Sequence, residues 1–240
     1  MTFRTPLLAA AGLALAMGAA QAQTVRIATE GAYAPFNLVN DDGKLAGYDI
    51  AVGDEVCKRA ELDCTWVKND WDSIIPNLVS GNYDAIMAGM SITAERKQAI
   101  AFSDPYYPPA ISAYVALVPE ADIHGVVAAQ TGTVQSDYVA GSGATLLEFS
   151  TLDEALAAVR NGEADAAFFD KAPFVAVVEQ GGDLVWVGEE VNLDEGVGIG
   201  LRQSDTELRD KVNAAIGTMK ADGTLNTLIK EYFGEDATGF

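Results

Sequence analysis

The chain is poor in the side chains that most often carry chemistry. It has one histidine, His124, and two cysteines, Cys57 and Cys64, in 240 residues. No Ser/His/Asp set, metal-ligand cluster or phosphate-loop signature is present, so nothing in the residues points to catalysis, a metal or a cofactor. Cations are scarce too: 15 Lys and Arg stand against 35 Asp and Glu, a net charge of −20. So acidic a surface repels polyanions, which excludes nucleic acid and anionic lipid as partners. Past residue 22 no apolar run approaches the ~20 residues of a membrane span. The longest, Ala110 to Val118, is interrupted by Ser112.

What is present begins with a leader-like segment. Arg4 is followed by an unbroken run of apolar and small residues from Leu7 to Met17, and then by Ala20-Gln21-Ala22. That order of cation, short apolar stretch and small-residue cleavage site predicts a secretory signal peptide over residues 1–22. The expected mature chain starts near Gln23, outside the cytoplasm, and is soluble. Loss of Arg4 takes its charge from −20 to −20 − 1 = −21. In an oxidising compartment Cys57 and Cys64 read as one disulfide closing a short loop. A metal site is the rival reading, although His124 lies far away and Lys58 and Arg59 adjoin.

Thr24–Thr29 alternates as a strand, with Val25 and Ile27 on one face, and Gly31–Asn37 reads as a loop leaving its end. A helix over Ile50–Ala60, a strand at Cys64–Val67, a helix over Trp71–Ser80 and a strand at Tyr83–Ala88 follow. This rhythm predicts an α/β fold with parallel strands and binding loops at their C-terminal ends. After the proline-rich Pro105–Pro109 and a strand-like Ala113–Leu117, the cycle restarts. A strand at Val126–Ala129, a turn at Gly132-Thr133, helices over Val134–Ala140 and Leu152–Asn161 and a strand at Ala164–Phe169 predict a second lobe of like construction. A strand at Gly196–Leu201 and helices over Thr206–Asp222 and Gly223–Tyr232 return to the first. The expected division is residues 23–111 and 194–240 in one lobe and 112–193 in the other. Two chain crossings between them would form a hinge beside a cleft.

The residues at the strand ends facing that cleft suit a zwitterion. Ser91, the main chain at Met90 and the planar fork of Arg96 can hold a carboxylate. Thr133 and Val134 open a helix, whose free N–H groups favour an anion. Asp170, at the end of a later strand, is placed for an ammonium. Taken singly, each has an ordinary explanation: an ion pair for Arg96, a turn for Gly132-Thr133, a cap for Asp170.

Several stretches together resemble the periplasmic amino-acid-binding proteins of ABC importers, in particular the lysine/arginine/ornithine, histidine and opine receptors. They are Ala28 to Phe36, Gly47-Tyr48-Asp49-Ile50, Cys57-Lys58-Arg59 with Cys64, and Trp71 to Pro76. Tyr83 to Met87, Met90 to Thr93 with Arg96, Phe102 to Tyr107, Asp165 to Phe168 with Asp170, and Ala221 to Thr224 add to them. The resemblance implies a two-lobed periplasmic binding fold, each lobe a mixed, mostly parallel sheet flanked by helices, joined by two hinge crossings. It implies a monomeric receptor that delivers a cationic L-amino acid, arginine first, to a membrane ABC permease, with no cofactor.

By position, Arg96, Ser91 and the Thr133/Val134 main chain would take the α-carboxylate, and Asp170 with Ser91 the α-ammonium. Tyr33 and Trp71 would sandwich the side chain, Glu30 would meet its distal cation, and Gln130 and Gln135 would lie along the pocket. The Cys57–Cys64 pairing matches the cationic subgroup. Ala88 and Gly89 stand where serines are common in that subgroup, and Ala88 is similar to the opine receptors. A signalling receptor and a dehydratase on the same fold are the two alternative functions.

Overall fold

The computed structural model describes residues 24–175, 178 and 182–240. The expected signal peptide, residues 1–22, lies outside the described residues.

Two five-stranded sheets carry the architecture. The first takes β1 (Thr24–Thr29), β5 (Asp63–Lys68), β6 (Ala85–Ile86), β7 (Ala101–Phe102) and β13 (Gly200–Leu201), in the order β5-β1-β6-β13-β7. The second takes β8 (Ile111–Ala116), β9 (Val126–Gln130), β10 (Thr145–Phe149), β11 (Ala166–Asp170) and β12 (Val185–Asn192), in the order β10-β9-β11-β8-β12. A small meander of β2 (Ala32–Tyr33), β3 (Asn37–Val39) and β4 (Leu45–Ala46) occupies the span read from sequence as a loop. In each large sheet β1 or β9 pairs in parallel with both neighbours, and the remaining pairings are antiparallel. Antiparallel pairing is thus heavier than the expected, mostly parallel arrangement. The chain passes between the sheets twice, from β7 to β8 and from β12 to β13.

Alternation along the strands explains why both faces of each sheet are covered. Val25 and Ile27 of β1 face a core shared with Val52 and Val56 of α1 (Tyr48–Arg59). The same core takes Val212 and Ile216 of α6 (Thr206–Ala221) and Leu225 and Ile229 of α7 (Thr224–Phe233). Ala28 and Ile86 turn the other way, onto Ile74 and Leu78 of α2 (Trp71–Val79). In the second sheet Ala128, Ala167 and Phe169 meet Leu156 and Val159 of α5 (Leu152–Arg160). Val127 and Phe168 meet Val139 of α4 (Val134–Ser142). Reciprocal capping boxes start both of these helices, Thr133 with Ser136 and Thr151 with Glu154. At the start of α1, Gly47 has φ +116°, and an added Cβ would lie 2.6 Å from the Phe36 carbonyl oxygen. Only glycine fits there.

Several expected elements differ in extent. The strand expected over Tyr83–Ala88 is confined to Ala85–Ile86, and that over Gly196–Leu201 to Gly200–Leu201. Between them Val197 bridges both Ser91 and Tyr107, so this stretch serves the crossing instead of a regular strand. β10 and β12 were not foreseen. β12 carries a register irregularity between Val187 and Val191, and Gly188 within it has φ +67°.

Cys57 and Cys64 are disulfide-bonded and tie the last turn of α1 to β5. Closing so short a loop is worth about 2.5 kcal/mol on chain entropy. The double variant Cys57→Ser/Cys64→Ser is therefore expected to melt about 5–10 °C lower while its ligand affinity stays unchanged. Calorimetric melting with a parallel titration checks this.

Candidate functional site

A narrow cavity lined from both sides lies between the two sheets. It is built where strands of both sheets end, as open α/β sheets require of a binding crevice. Glu30 follows β1, and Ala88, Gly89 and Ser91 follow β6. Trp71 opens α2, Gln130 ends β9, Thr133 and Val134 open α4, and Asp170 ends β11. Tyr33, Arg96 and Gln135 complete the expected set that the cavity gathers. Met90 is the exception: its side chain is fully buried in the core beneath α2 and lines no part of the cavity. Leu152 and Phe169 line it without having been singled out in the sequence.

The two halves touch through polar groups. Tyr33 Oη donates to Asp170 Oδ2 at 2.6 Å, and Gln130 Nε2 donates to Glu30 Oε1 at 2.7 Å. Trp71 Nε1 and an Arg96 terminal N–H both donate to the Gly132 carbonyl, at 3.3 and 3.1 Å. These bonds close the cleft.

Each charged group in the site has its own environment. Asp170 is 7% exposed. Its other oxygen accepts from Gln135 Nε2 at 2.7 Å and from Ser112 Oγ at 3.4 Å. Gln135 lines the cavity and also orients Asp170, and Ser112 is a partner the sequence reading missed. Burial pushes the Asp170 carboxyl up to about 6, with the Asp194 charge adding to it. The Tyr33 and Ser112 hydrogen bonds and the Arg96 charge oppose that rise.

Glu30 is 5% exposed, and burial pushes it up to about 7. The Asp72 and Asp70 charges reinforce this, and the Gln130 hydrogen bond and Lys68 work against it. Burial pushes Arg96 the other way, while Asp137, Asp170, Asp194 and Glu95 favour its charge. A guanidinium nonetheless stays protonated. Arg96 also donates to the Ser91 carbonyl at 3.0 Å, and its Cζ lies 5.3 Å from the centroid of the Trp71 ring. Two of its five N–H donors are thereby used. At the start of α4 the capping box engages the Thr133 N–H, which donates to Ser136 Oγ at 3.2 Å.

Two buried anions, Glu30 and Asp170, and one half-buried cation, Arg96, leave the cavity one charge short of neutral when all are ionised. Burying an anion without a counter-ion is costly. An occupant that brings positive charge would balance it.

Comparison with known proteins agrees with this geometry. The family of bacterial extracellular solute-binding proteins, family 3, matches residues 25–235. The histidine-binding periplasmic protein of Salmonella typhimurium is 36% identical over 245 aligned positions, covering 94% of this chain and 94% of that protein. The lysine/arginine/ornithine-binding periplasmic protein of Escherichia coli K12 is 35% identical, covering 92% of each. Among solved structures, a periplasmic His/Glu/Gln/Arg/opine family-binding protein from Silicibacter pomeroyi in complex with lysine superposes with a TM-score of 0.88. It is 61% identical and covers 90% of this chain and 100% of its own.

The two cleft carboxylates link closure to pH. Their proton affinity is raised in the closed cleft above that of a hydrated carboxyl, so the closed form holds more protons. Closure without ligand is then favoured below the ordinary carboxyl range and disfavoured as pH rises through about 6 for Asp170 and about 7 for Glu30. For Glu30 the raised value corresponds to about 3 kcal/mol of closure free energy. The radius of gyration of the ligand-free protein, read by small-angle scattering, is expected to grow between pH 5 and 8. The growth is expected to be smaller in Glu30→Gln. A radius indifferent to pH would contradict this account.

Proposed function

We propose that this chain, which belongs to the bacterial extracellular solute-binding proteins of family 3, is a periplasmic receptor for a cationic L-amino acid. It would close over the ligand and deliver it to a membrane ABC permease. Arginine is the favoured ligand, with ornithine, lysine, histidine or an opine weaker. The observation that carries the reading is the charge of the cavity. Glu30, Asp170 and Arg96 together sum to −1 when ionised, and an amino acid with a cationic side chain brings +1.

On this reading the remaining donors of Arg96, with Ser91 and the start of α4 at Thr133 and Val134, take the α-carboxylate. Asp170 takes the α-ammonium, held ready by Gln135, Ser112 and Tyr33. Glu30 meets the distal cation, and Gln130 fixes Glu30. Tyr33 and Trp71 flank the side chain, where a flat guanidinium gains from lying against a ring. Ala88 and Gly89, lacking hydroxyls, leave width there.

The lobes would be residues 23–111 with 194–240, and 112–193, moving about the two crossings. The receptor would act as a monomer. It would bind without turning over its ligand, as the relatives named above are binding proteins.

A calorimetric screen of the amino acids and opines tests the reading, since a ligand that binds only the folded form raises the melting temperature. Arg96→Ala is expected to abolish binding of every amino acid. Glu30→Gln is expected to weaken arginine by about 1.5–3 kcal/mol while sparing glutamine. Equal losses for arginine and glutamine would remove Glu30 from its role, and a screen in which no amino acid shifts the melting temperature would overturn the receptor.

A further inference from the structure

Beneath the cavity, and lining no part of it, lies a second buried carboxylate system. Asp49, in the first turn of α1, is fully buried. Its Oδ1 accepts from Tyr106 Oη at 2.6 Å and its Oδ2 from Asn37 Nδ2 at 2.9 Å. The Gly89 main-chain N–H is directed at it as well and favours its charged form. Of the ion pairs among the described residues, none includes Asp49.

Each donor belongs to a segment that matters to the cavity. Asn37 accepts in turn from the Gly31 N–H at 2.7 Å, next to Glu30 and two residues before Tyr33. Because Gly31 claims the amide oxygen of Asn37, its NH2 must face Asp49. Gly89 forms the floor of the cavity at φ +61°, where an added Cβ would lie 3.0 Å from the Tyr33 ring. Tyr106 sits in the first crossing between sheets. Its N–H donates to Val197 in the second crossing, and its carbonyl accepts from Tyr48 Oη at 2.6 Å.

We propose that Asp49 is a positioning residue for ligand binding: one buried anion fixes the Glu30–Tyr33 loop and the Gly89 floor against each other and ties both to the crossings. This rests on the reading of the cavity as an amino-acid site. The geometry demands an acceptor. Three N–H or O–H donors converge on Asp49, and only the Tyr106 hydroxyl can turn to accept. A protonated acid or an amide at this position would set a hydrogen against the Asn37 or Gly89 donor unless that hydroxyl reversed. The titratable groups that face Asp49 are Tyr106 from the first crossing and Tyr48 from its own helix. Burial, working against the Tyr106, Asn37 and Gly89 hydrogen bonds, pushes its carboxyl up to about 7. Protonation near neutrality therefore weakens the arrangement, and affinity falls as pH falls.

The test measures the Kd for L-arginine and the ligand-free melting temperature of wild type, Asp49→Asn and Tyr106→Phe between pH 6 and 8. Asp49→Asn is expected to raise Kd at least 10-fold at pH 8 in protein that is still folded. Tyr106→Phe, which removes one donor and leaves the carboxylate, is expected to raise it less. In a Glu30→Gln background, Kd is expected to rise several-fold from pH 8 to 6.5, and adding Asp49→Asn is expected to flatten that rise. A merely structural role would lower the melting temperature and leave both Kd and its pH profile alone. If wild type binds L-arginine and Asp49→Asn binds it equally well, the proposal is overturned. Should Asp49→Asn fail to fold, an unchanged Kd and pH profile in Tyr106→Phe overturns it instead. A wild type that ignores every amino acid brings down the receptor reading, and the positioning role with it.

Discussion

Withdrawing carboxylates from water without giving them cations is the constraint around which the molecule is organised. Glu30 and Asp170 stand nearly enclosed between two sheets, and what stabilises them is a set of neutral donors: Gln130 for one, Tyr33, Gln135 and Ser112 for the other. Such donors offset part of the desolvation cost and leave the charge itself unanswered. Strand ends suit this arrangement, because the chain there leaves the sheet and can turn side chains inward from several directions at once. On the proposed reading the two crossings would make the enclosure conditional, so that the anions would be dry only when the halves meet.

The opposite end of the central strands of the first sheet shows how the same chemistry looks when it is purely structural. Asp84, just before β6, pairs with Arg26 of β1 at 3.0 Å and with Arg202, just after β13, at 3.0 Å. Despite the opposing effect of burial, those guanidinium partners and the Arg26 N–H hold its carboxyl down at about 2. One acid is locked ionised between two arginines at one end of the strands, and another is held without a cation at the end that faces the cavity. The contrast separates a group that joins three strands from one that awaits a partner.

Much of this was legible in the sequence, for identifiable reasons. The helices declared themselves through periodicity and caps. Asp170 stood out because it ends a strand, the helix start at Thr133 because it closely follows one, and Arg96 because it belongs to the segment that leaves β6. β10 and β12 were hidden because they are edge strands whose burial is only partial, and β12 is broken in register around Gly188. The very short strands were overextended because an apolar run records burial, while pairing stops where the crossings pull the chain away. Ser112 registered as a mere interruption of an apolar stretch. Only the antiparallel register that sets it opposite Asp170 reveals its use. Gln135 was placed at the cavity correctly, but its partner lies 35 residues away, and nothing local announces which polar group it will face. Asp49 was visible as part of Gly47-Tyr48-Asp49-Ile50, although its role depends on three donors from distant segments.

The cross-cleft bonds also bear on where affinity comes from. On the proposed reading, a ligand ammonium would compete with the Tyr33 hydroxyl for Asp170, while its carboxylate would use the Arg96 donors that the Ser91 and Gly132 carbonyls leave free. Exchanging one hydrogen bond for another contributes little on balance. What a ligand adds that the protein lacks is positive charge in a water-poor site, where Coulomb attraction is far stronger than at the surface. On the proposed reading, a neutral amino acid would satisfy Asp170 through its ammonium and Arg96 through its carboxylate, yet leave Glu30 without a counter-charge. Selectivity for cationic side chains would then follow from the same unbalanced carboxylate that makes closure without ligand costly above neutrality.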